Sequence, residues 1–320
     1  MKLISPYSNT ELPLRPSTQE GKQWYKGTLH NHTHKITSER GLAPPVEVAH
    51  IYKSAGYDFI ALTDHDGRLG GLSWPQTDWE SDLPDGFVVI TGYEASYPGA
   101  HINCLNCLPE EVCVKPGEPG FIEAVHKAGG LTFLNHPSKW NDIPEIIYDS
   151  ADLQHLDGLE IYSGARIVKE IALATKLWDG CLSHGLPLWG FANPDCHNYN
   201  TSLPDSPFNG YNVVLCQSLT KGDLMNALKE GSFYASTGVE VENIETTGSE
   251  IIVTTRNASK VKFIGANGNI LRTVEGSSGR YAPGGDEGYV RVELENTMSC
   301  FPGLTEMPQR AWLQPILISG

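Results

Sequence analysis

No run of residues in this chain of 320 is long and apolar enough to span a bilayer. The opening Met1-Lys2-Leu3-Ile4-Ser5 reaches Pro6 without a sustained apolar core, so no signal peptide is expected and a cytoplasmic location is the reading. Positive charge is also short: 23 lysines and arginines against 38 aspartates and glutamates leave a formal net charge of −15. That balance repels nucleic-acid backbones and anionic membranes, and neither is expected as the main partner. It does not exclude a small phosphate ester, because two or three divalent ions would supply positive charge locally. Seven cysteines, an odd number without regular spacing, make no disulfide framework and fit reduced thiols. Cys104 and Cys107 form a lone CxxC, read here as packing thiols rather than a zinc or redox pair. There is no internal repeat, no low-complexity linker, no GxSxG elbow and no P-loop. Covalent serine catalysis and triphosphate binding therefore find no support.

What is present is enough apolar residue, 40% of the chain, to bury a full core. Apolar runs at 25–31, 58–63, 86–93, 100–105, 130–135, 157–161 and 187–192 read as strands. Helix candidates lie between or after them at 44–56, 119–128, 142–149, 166–183 and 222–230. Strand and helix in alternation imply parallel pairing with helices outside, hence an α/β barrel or a doubly wound sheet. From about Glu240 the texture changes to short Val-, Ile- and Thr-rich runs, which suggests a small all-β, sandwich-like unit. Gly265-Ala266-Asn267-Gly268-Asn269 reads as a hairpin turn, and the glycine-rich segment 274–287 as a mobile loop.

Imidazoles and carboxylates gather at the ends of these runs. Gly27-Thr28-Leu29-His30-Asn31-His32 closes the first, and alternation along a strand puts His30 and His32 on one face. Ile60-Ala61-Leu62-Thr63-Asp64-His65 closes the second, with Asp64 pointing opposite to His65. Glu94, His101, His136 and the pair Asp195 and His197 follow downstream. In an open sheet such ends spread along a line, whereas in a barrel they converge on one mouth, so the ligand positions favour a barrel. Cys196, between Asp195 and His197, is expected to pack rather than ligate. His50, His126, His155 and His184 lie on helix candidates or connections and are read as structural. Arg166, following another strand, suits either an anionic oxygen or a surface salt bridge.

In this order the motifs resemble the PHP family, named for polymerase and histidinol phosphatase domains. The resemblance covers about residues 24–238, and it implies a distorted (β/α)7 barrel holding two or three divalent metal ions. Gly231-Ser232-Phe233-Tyr234-Ala235-Ser236-Thr237-Gly238, Tyr289-Val290-Arg291-Val292 and Ala311-Trp312 resemble a branch with a C-terminal β-domain that includes a carbaryl hydrolase. The implied division is a barrel over 1–238 and a β-domain over 239–320. Carried across, the resemblance gives His30, His32, Glu94 and Asp195 to a first ion, with Glu94 bridging to a second that His101 and His136 complete. His65 and His197 match ligands of a third. Its usual aspartate is replaced in Ser38-Glu39-Arg40-Gly41, where Glu39 is the nearest equivalent and His34 a substitute.

Two ions bridged by a carboxylate sit about 3.5–4 Å apart and hold a hydroxide nucleophile between them. The expected activity is hydrolysis of a small phosphate mono- or diester, with a third ion or protonated His197 assisting the leaving oxygen and Arg166 clamping an anionic one. A carboxylic ester, carbamate or amide is the alternative substrate, for which Trp74, Trp79 and Trp140 would offer apolar lining. A non-catalytic binding module, stabilised by metal, is the third reading. Imidazole with carboxylate suits zinc, manganese or iron. Oligomeric state is not readable from the sequence.

Overall fold

The computed structural model describes residues 2–7, 21–33, 43–66, 79–139, 147, 150–169, 171–199, 207–247, 249–300 and 307–319. Among these no helix is long and apolar enough to cross a membrane. Strand β1 is Lys2–Ile4 and β2 is Gln23–Thr28; helix α1, Pro45–Ser54, leads to β3, Phe59–Leu62. Next come β4 (Val88–Tyr97), β5 (Ala100–Leu105), α2 (Phe121–Lys127), β6 (Leu131–Leu134) and β7 (Gly158–Ser163). Helix α3 (Thr175–Ser183), β8 (Trp189–Asn193), β9 (Tyr211–Cys216), α4 (Lys221–Glu230) and β10 (Phe233–Ser236) complete this part. All seven expected strands form. Helix α4 shows why the chain folds as it does locally. Thr220 Oγ1 accepts from the Asp223 N–H at its start, and Gly231, at φ 75°, ends it in a conformation that glycine adopts freely.

The ladder order is β2-β3-β4-β5-β6-β7-β8, with β9 and then β10 on the other side of β2. Pairing departs from the all-parallel expectation. The β2-β3, β3-β4, β6-β7 and β7-β8 pairs are parallel, but β5 is antiparallel to both neighbours and β9 to both of its own. Only two residues separate β4 from β5, which permits a hairpin and excludes the helical crossover a parallel pair requires. No ladder joins β8 to β9 among the described residues. What lies across that gap is the carboxamide of Asn212, which accepts from Ala192 N at 3.1 Å and donates to Ala192 O at 3.0 Å. Beyond the strand ends a bridge joins Asn31 to Cys196. Phe133, Phe191 and Phe233 stack in sequence, with centroids 4.6 and 4.8 Å apart, in a buried cluster with Leu29, Phe59 and Ile90.

The helix expected over 166–183 begins only at Thr175. After a 3-10 turn over Gly164–Lys169, Ser163 N donates to Ala172 O and Ala174 N to Ile161 O, so 172–174 runs back along the end of β7 before the α-helix starts. Most of the candidate at 142–149 falls outside the described residues.

The C-terminal part holds β11 (Val241–Thr246), β12 (Ile251–Thr255), β13 (Lys260–Ile264), β14 (Ile270–Glu275), β15 (Ser278–Tyr281), β16 (Tyr289–Ser299), β17 (Pro308–Leu313) and β18 (Ile316–Ser319). Asn267 at φ 59° and Gly268 at φ 75° make the expected turn between β13 and β14. The segment 274–287 is not a loop throughout: β14 runs into it, and β15 pairs with β12 inside it. Gly279 is what lets β15 lie there, since a Cβ would meet Val261 Cγ1 at 2.9 Å. β11-β12-β15 form one sheet, whereas β17 pairs with β10 and thereby joins the other C-terminal strands to the main sheet. The N-terminal β1 pairs with β18.

Candidate metal centre

The two histidines of the HxH segment lie just past the end of β2, where the residue between them is held firmly. Asn31 donates to Ala61 O at 2.8 Å and accepts from the Tyr52 hydroxyl at 2.6 Å, on the side away from the imidazoles. Thr63 N donates to Asn31 O. Asp64 accepts from Thr33 N and Thr33 Oγ1, both at 2.7 Å, so the second motif braces the first. Asp64 therefore supports the loop, as its alternation with His65 implied. Burial pushes its carboxyl up to about 6, against the lowering effect of the Thr33 bonds.

Held this way, His30 Nε2 and His32 Nε2 lie 3.3 Å apart, and Asp195 Oδ1 lies 3.3 Å from each. Ligands bound at about 2.0–2.2 Å around one ion sit about 3.3–3.6 Å from one another, so this triangle has the spacing of a coordination site. Glu94 Oε2 is 3.5 Å from His30 Nε2, 3.4 Å from His32 Nε2 and 3.0 Å from His65 Nδ1. Its other oxygen, Oε1, is 2.8 Å from His101 Nδ1 and 3.2 Å from His136 Nε2. One carboxylate thus presents its two oxygens to two sets of imidazoles. His32, His65 and His197 make a third set, with ligand atoms within 4.8 Å of one another. The imidazoles of His32 and His197 stack at 4.0 Å.

Depth sorts these residues. His30, His32, Glu94, His136 and Asp195 are buried, while His65, His101 and His197 are 13%, 21% and 24% exposed. Three imidazoles therefore form a rim above a buried floor. His101 reaches the cluster from the start of β5, because that strand runs opposite to its neighbours; the other candidate ligands follow their strands or, like Glu94, lie within one.

Burial disfavours every charge on this floor, yet the mutual contacts prevail for most groups. Burial would raise Glu94 and Asp195, but His30 and the other imidazoles around each hold both carboxyls well below the usual range. Burial and the neighbouring His197 push His32 down to about 3, which leaves it neutral. His30 goes the other way: Asp195, Glu160 and Glu94 outweigh its burial and raise it. Anionic carboxylates beside a neutral imidazole are the donor set that a divalent ion requires.

Two described backbones at the site are strained. His136 and Asp195 have φ of 30° and 51°, a region that residues with a Cβ seldom occupy. Arg166 Nη2 lies 3.3 Å from Asp195 Oδ2, on the side opposite the triangle. Glu39 lies outside the described residues, as do His34, Trp74 and Trp140. Cys196 packs in the core with Tyr52 and Tyr199, and Cys104 with Cys107 in a second apolar cluster. His126 pairs with Asp157 at 2.8 Å, away from the cluster.

Sequence reasoning missed three side chains behind the candidate ligands. Glu160 Oε1 is 2.8 Å from His30 Nδ1, and its Oε2 accepts from His136 N at 2.6 Å. Asn193 donates to Glu160 Oε1 at 3.0 Å. Asn135 donates to Glu94 Oε1 at 2.9 Å. The available signal was a lone carboxylate inside the apolar run Gly158-Leu159-Glu160-Ile161-Tyr162, fully buried in the fold.

No protein-family model and no curated protein matches the chain. Among solved structures, the crystal structure of a two-domain protein containing a predicted PHP-like metal-dependent phosphoesterase from Bacteroides vulgatus is 15% identical. It has a TM-score of 0.52 over 95% of this chain and 98% of that one. The lesion-specific endonuclease Q of Pyrococcus furiosus is 17% identical, with a TM-score of 0.47 over 65% of this chain and 56% of that one. An amidohydrolase from Chromobacterium violaceum is also 17% identical, with a TM-score of 0.37 over 54% and 88%. The first comparison shows that this chain shares its mixed α/β fold with a two-domain PHP-like protein.

Proposed function

We propose that this chain, with the fold of a PHP-like protein, is a metal-dependent phosphoesterase acting on a small phosphate mono- or diester. The observation that carries the reading is the 3.3 Å triangle of His30 Nε2, His32 Nε2 and Asp195 Oδ1, with Glu94 turning its two oxygens toward two imidazole sets. In this reading the strands from β2 to β8 form a distorted barrel over 1–238, and 239–320 is a β-domain joined to it. His30, His32, Asp195 and Glu94 would hold one ion, Glu94, His101 and His136 a second, and His65 and His197, with Glu39, a third. Zinc, manganese or iron suits such donors. Bound ions would supply an activated water and neutralise charge on the phosphoryl oxygens.

The chain's own residues do the rest. The buried floor keeps bulk water from the carboxylates, which strengthens their hold on cations. His197, on the rim, would either help hold the third ion or, in its absence, assist the leaving oxygen as a proton donor. Arg166 is 20% exposed, and its guanidinium, beside Asp195, would suit a phosphoryl oxygen. A net charge of −15 opposes a polyanionic substrate and favours a small one. The free cysteines suit a reducing compartment such as the cytoplasm. One observation favours a carbon ester instead: Arg166 already faces Asp195, which leaves less positive charge for a phosphate.

The test is metal content by elemental mass spectrometry on gently purified protein, with hydrolysis of p-nitrophenyl phosphate and p-nitrophenyl acetate. The expected result is two or more metals per chain and turnover of the phosphate, both lost in His32→Ala and Glu94→Ala. Turnover of acetate alone selects the carbon-ester reading. A metal-free, inert wild type overturns the site.

A further inference from the structure

We infer that Glu160 is a positioning residue that couples two of the ligand sets, fixing the ring of His30 through one oxygen and the strained backbone of His136 through the other. The inference rests on the metal-centre reading above.

Glu160 is 1% exposed, on a strand whose six residues are all buried. A carboxylate in such a place persists only where donors surround it. Three do so. His30 Nδ1 and Asn193 Nδ2 lie 2.8 and 3.0 Å from Oε1, and His136 N lies 2.6 Å from Oε2. Because a carboxylate only accepts, His30 Nδ1 carries a proton toward Glu160, and the ring is thereby held with Nε2 facing His32 and Asp195. At His136 the backbone is held at φ 30°, and the bond from its N–H to Glu160 offsets part of that strain. His30 and His136 contact opposite oxygens of Glu94, so Glu160 behind them sets the spacing on both sides of the shared carboxylate.

Asn193 extends the arrangement. Its Oδ1 accepts from Leu29 N and from Asn212 Nδ2, both at 3.0 Å. Asn212 in turn holds Ala192 at the gap beside β8. The chain of contacts therefore runs from the strand gap to the ring of His30. An amide at position 160 would place an N–H2 group against one of three donors, so the isosteric replacement is not conservative here.

The experiment uses the full chain carrying Glu160→Gln. Zinc affinity is measured by competition with a chromophoric chelator, and visible absorption is recorded on the cobalt(II)-loaded protein. The expected result is a 10- to 100-fold loss of affinity for the tightest ion with an altered cobalt spectrum. Asp179→Asn, which disturbs the buried pair of Asp179 and Arg291 rather than any of the candidate ligands, serves as a destabilised control and is expected to leave both readouts at wild-type values. If Glu160→Gln does not fold, Asn193→Ala is measured in its place and is expected to weaken zinc in the same direction. Wild-type affinity and spectrum in the folded variant overturn the inference. A wild-type protein that binds no zinc and no cobalt overturns the metal-centre reading instead.

Discussion

The carboxamide of Gln314 pairs with both main-chain groups of Gly190, accepting from its N–H and donating to its carbonyl, each at 2.8 Å. Gly190 is on β8 and Gln314 follows β17, so a residue from the C-terminal sheet occupies the place of a missing strand partner. Asn212 does the same for Ala192, two residues along. Between them the two carboxamides satisfy alternate positions on one edge of β8, and Asp195 and His197 lie just beyond that strand.

Gln314→Ala is expected to destabilise the protein by about 2–4 kcal/mol, because two buried main-chain groups lose their partners. Urea unfolding of the full chain checks this. Loss of less than about 0.5 kcal/mol would show that water replaces the carboxamide.

A second tie between the C-terminal sheet and the part that holds the candidate site is the buried pair of Asp179 on α3 and Arg291 on β16. Arg291 Nε and Nη2 lie 2.6 and 2.7 Å from the two Asp179 oxygens, and the Tyr289 hydroxyl donates to the same carboxylate at 3.0 Å. Asp179→Ala leaves a buried guanidinium with only the looser Glu293, 3.7 Å away, as counter-charge and is expected to cost about 3–5 kcal/mol. Adding Arg291→Met should recover part of that loss. A double-mutant cycle reads the coupling, and additive losses would contradict it.

Glu295 gives the pH dependence. Burial would raise its carboxyl, but Lys262 and Arg310 outweigh that and hold it below the ordinary 4.5. A carboxyl depressed in the folded state stabilises fully above the unfolded value and loses that contribution as pH falls through the folded one. The stability gap between wild type and Glu295→Gln is therefore expected to be constant near neutrality and to shrink below about pH 4.5. A gap independent of pH would contradict the pairing.

The thiols report on the CxxC. Burial pushes the Cys107 thiol up to about 12 and raises Cys104 as well, whereas Cys113 is exposed. A disulfide reagent at neutral pH should titrate Cys113 first and reach Cys104 and Cys107 only on unfolding. Fast reaction of either buried thiol would disprove the packing role.

The strands and most of the candidate ligands are legible in the order of the amino acids. Periodicity and apolar runs mark β2 to β8, and His30, His32, His65, Glu94, Asp195 and His197 stand at or near the ends of those runs, because local patterning carries that information. It also marked the turn at Asn267-Gly268, where positive φ selects the residues. Tertiary structure alone decided the rest. The antiparallel course of β5 brings His101 to the mouth from the opposite end of its strand, and hydrophobic alternation does not encode strand direction. Glu160, Asn193 and Asn135 lie 25 to 58 positions apart in the chain, so no local pattern links them. Gln314 meets Gly190 across 124 residues. A hydrogen bond between such distant positions exists only once the chain has folded, and there it joins the C-terminal sheet to the strand that leads to Asp195 and His197.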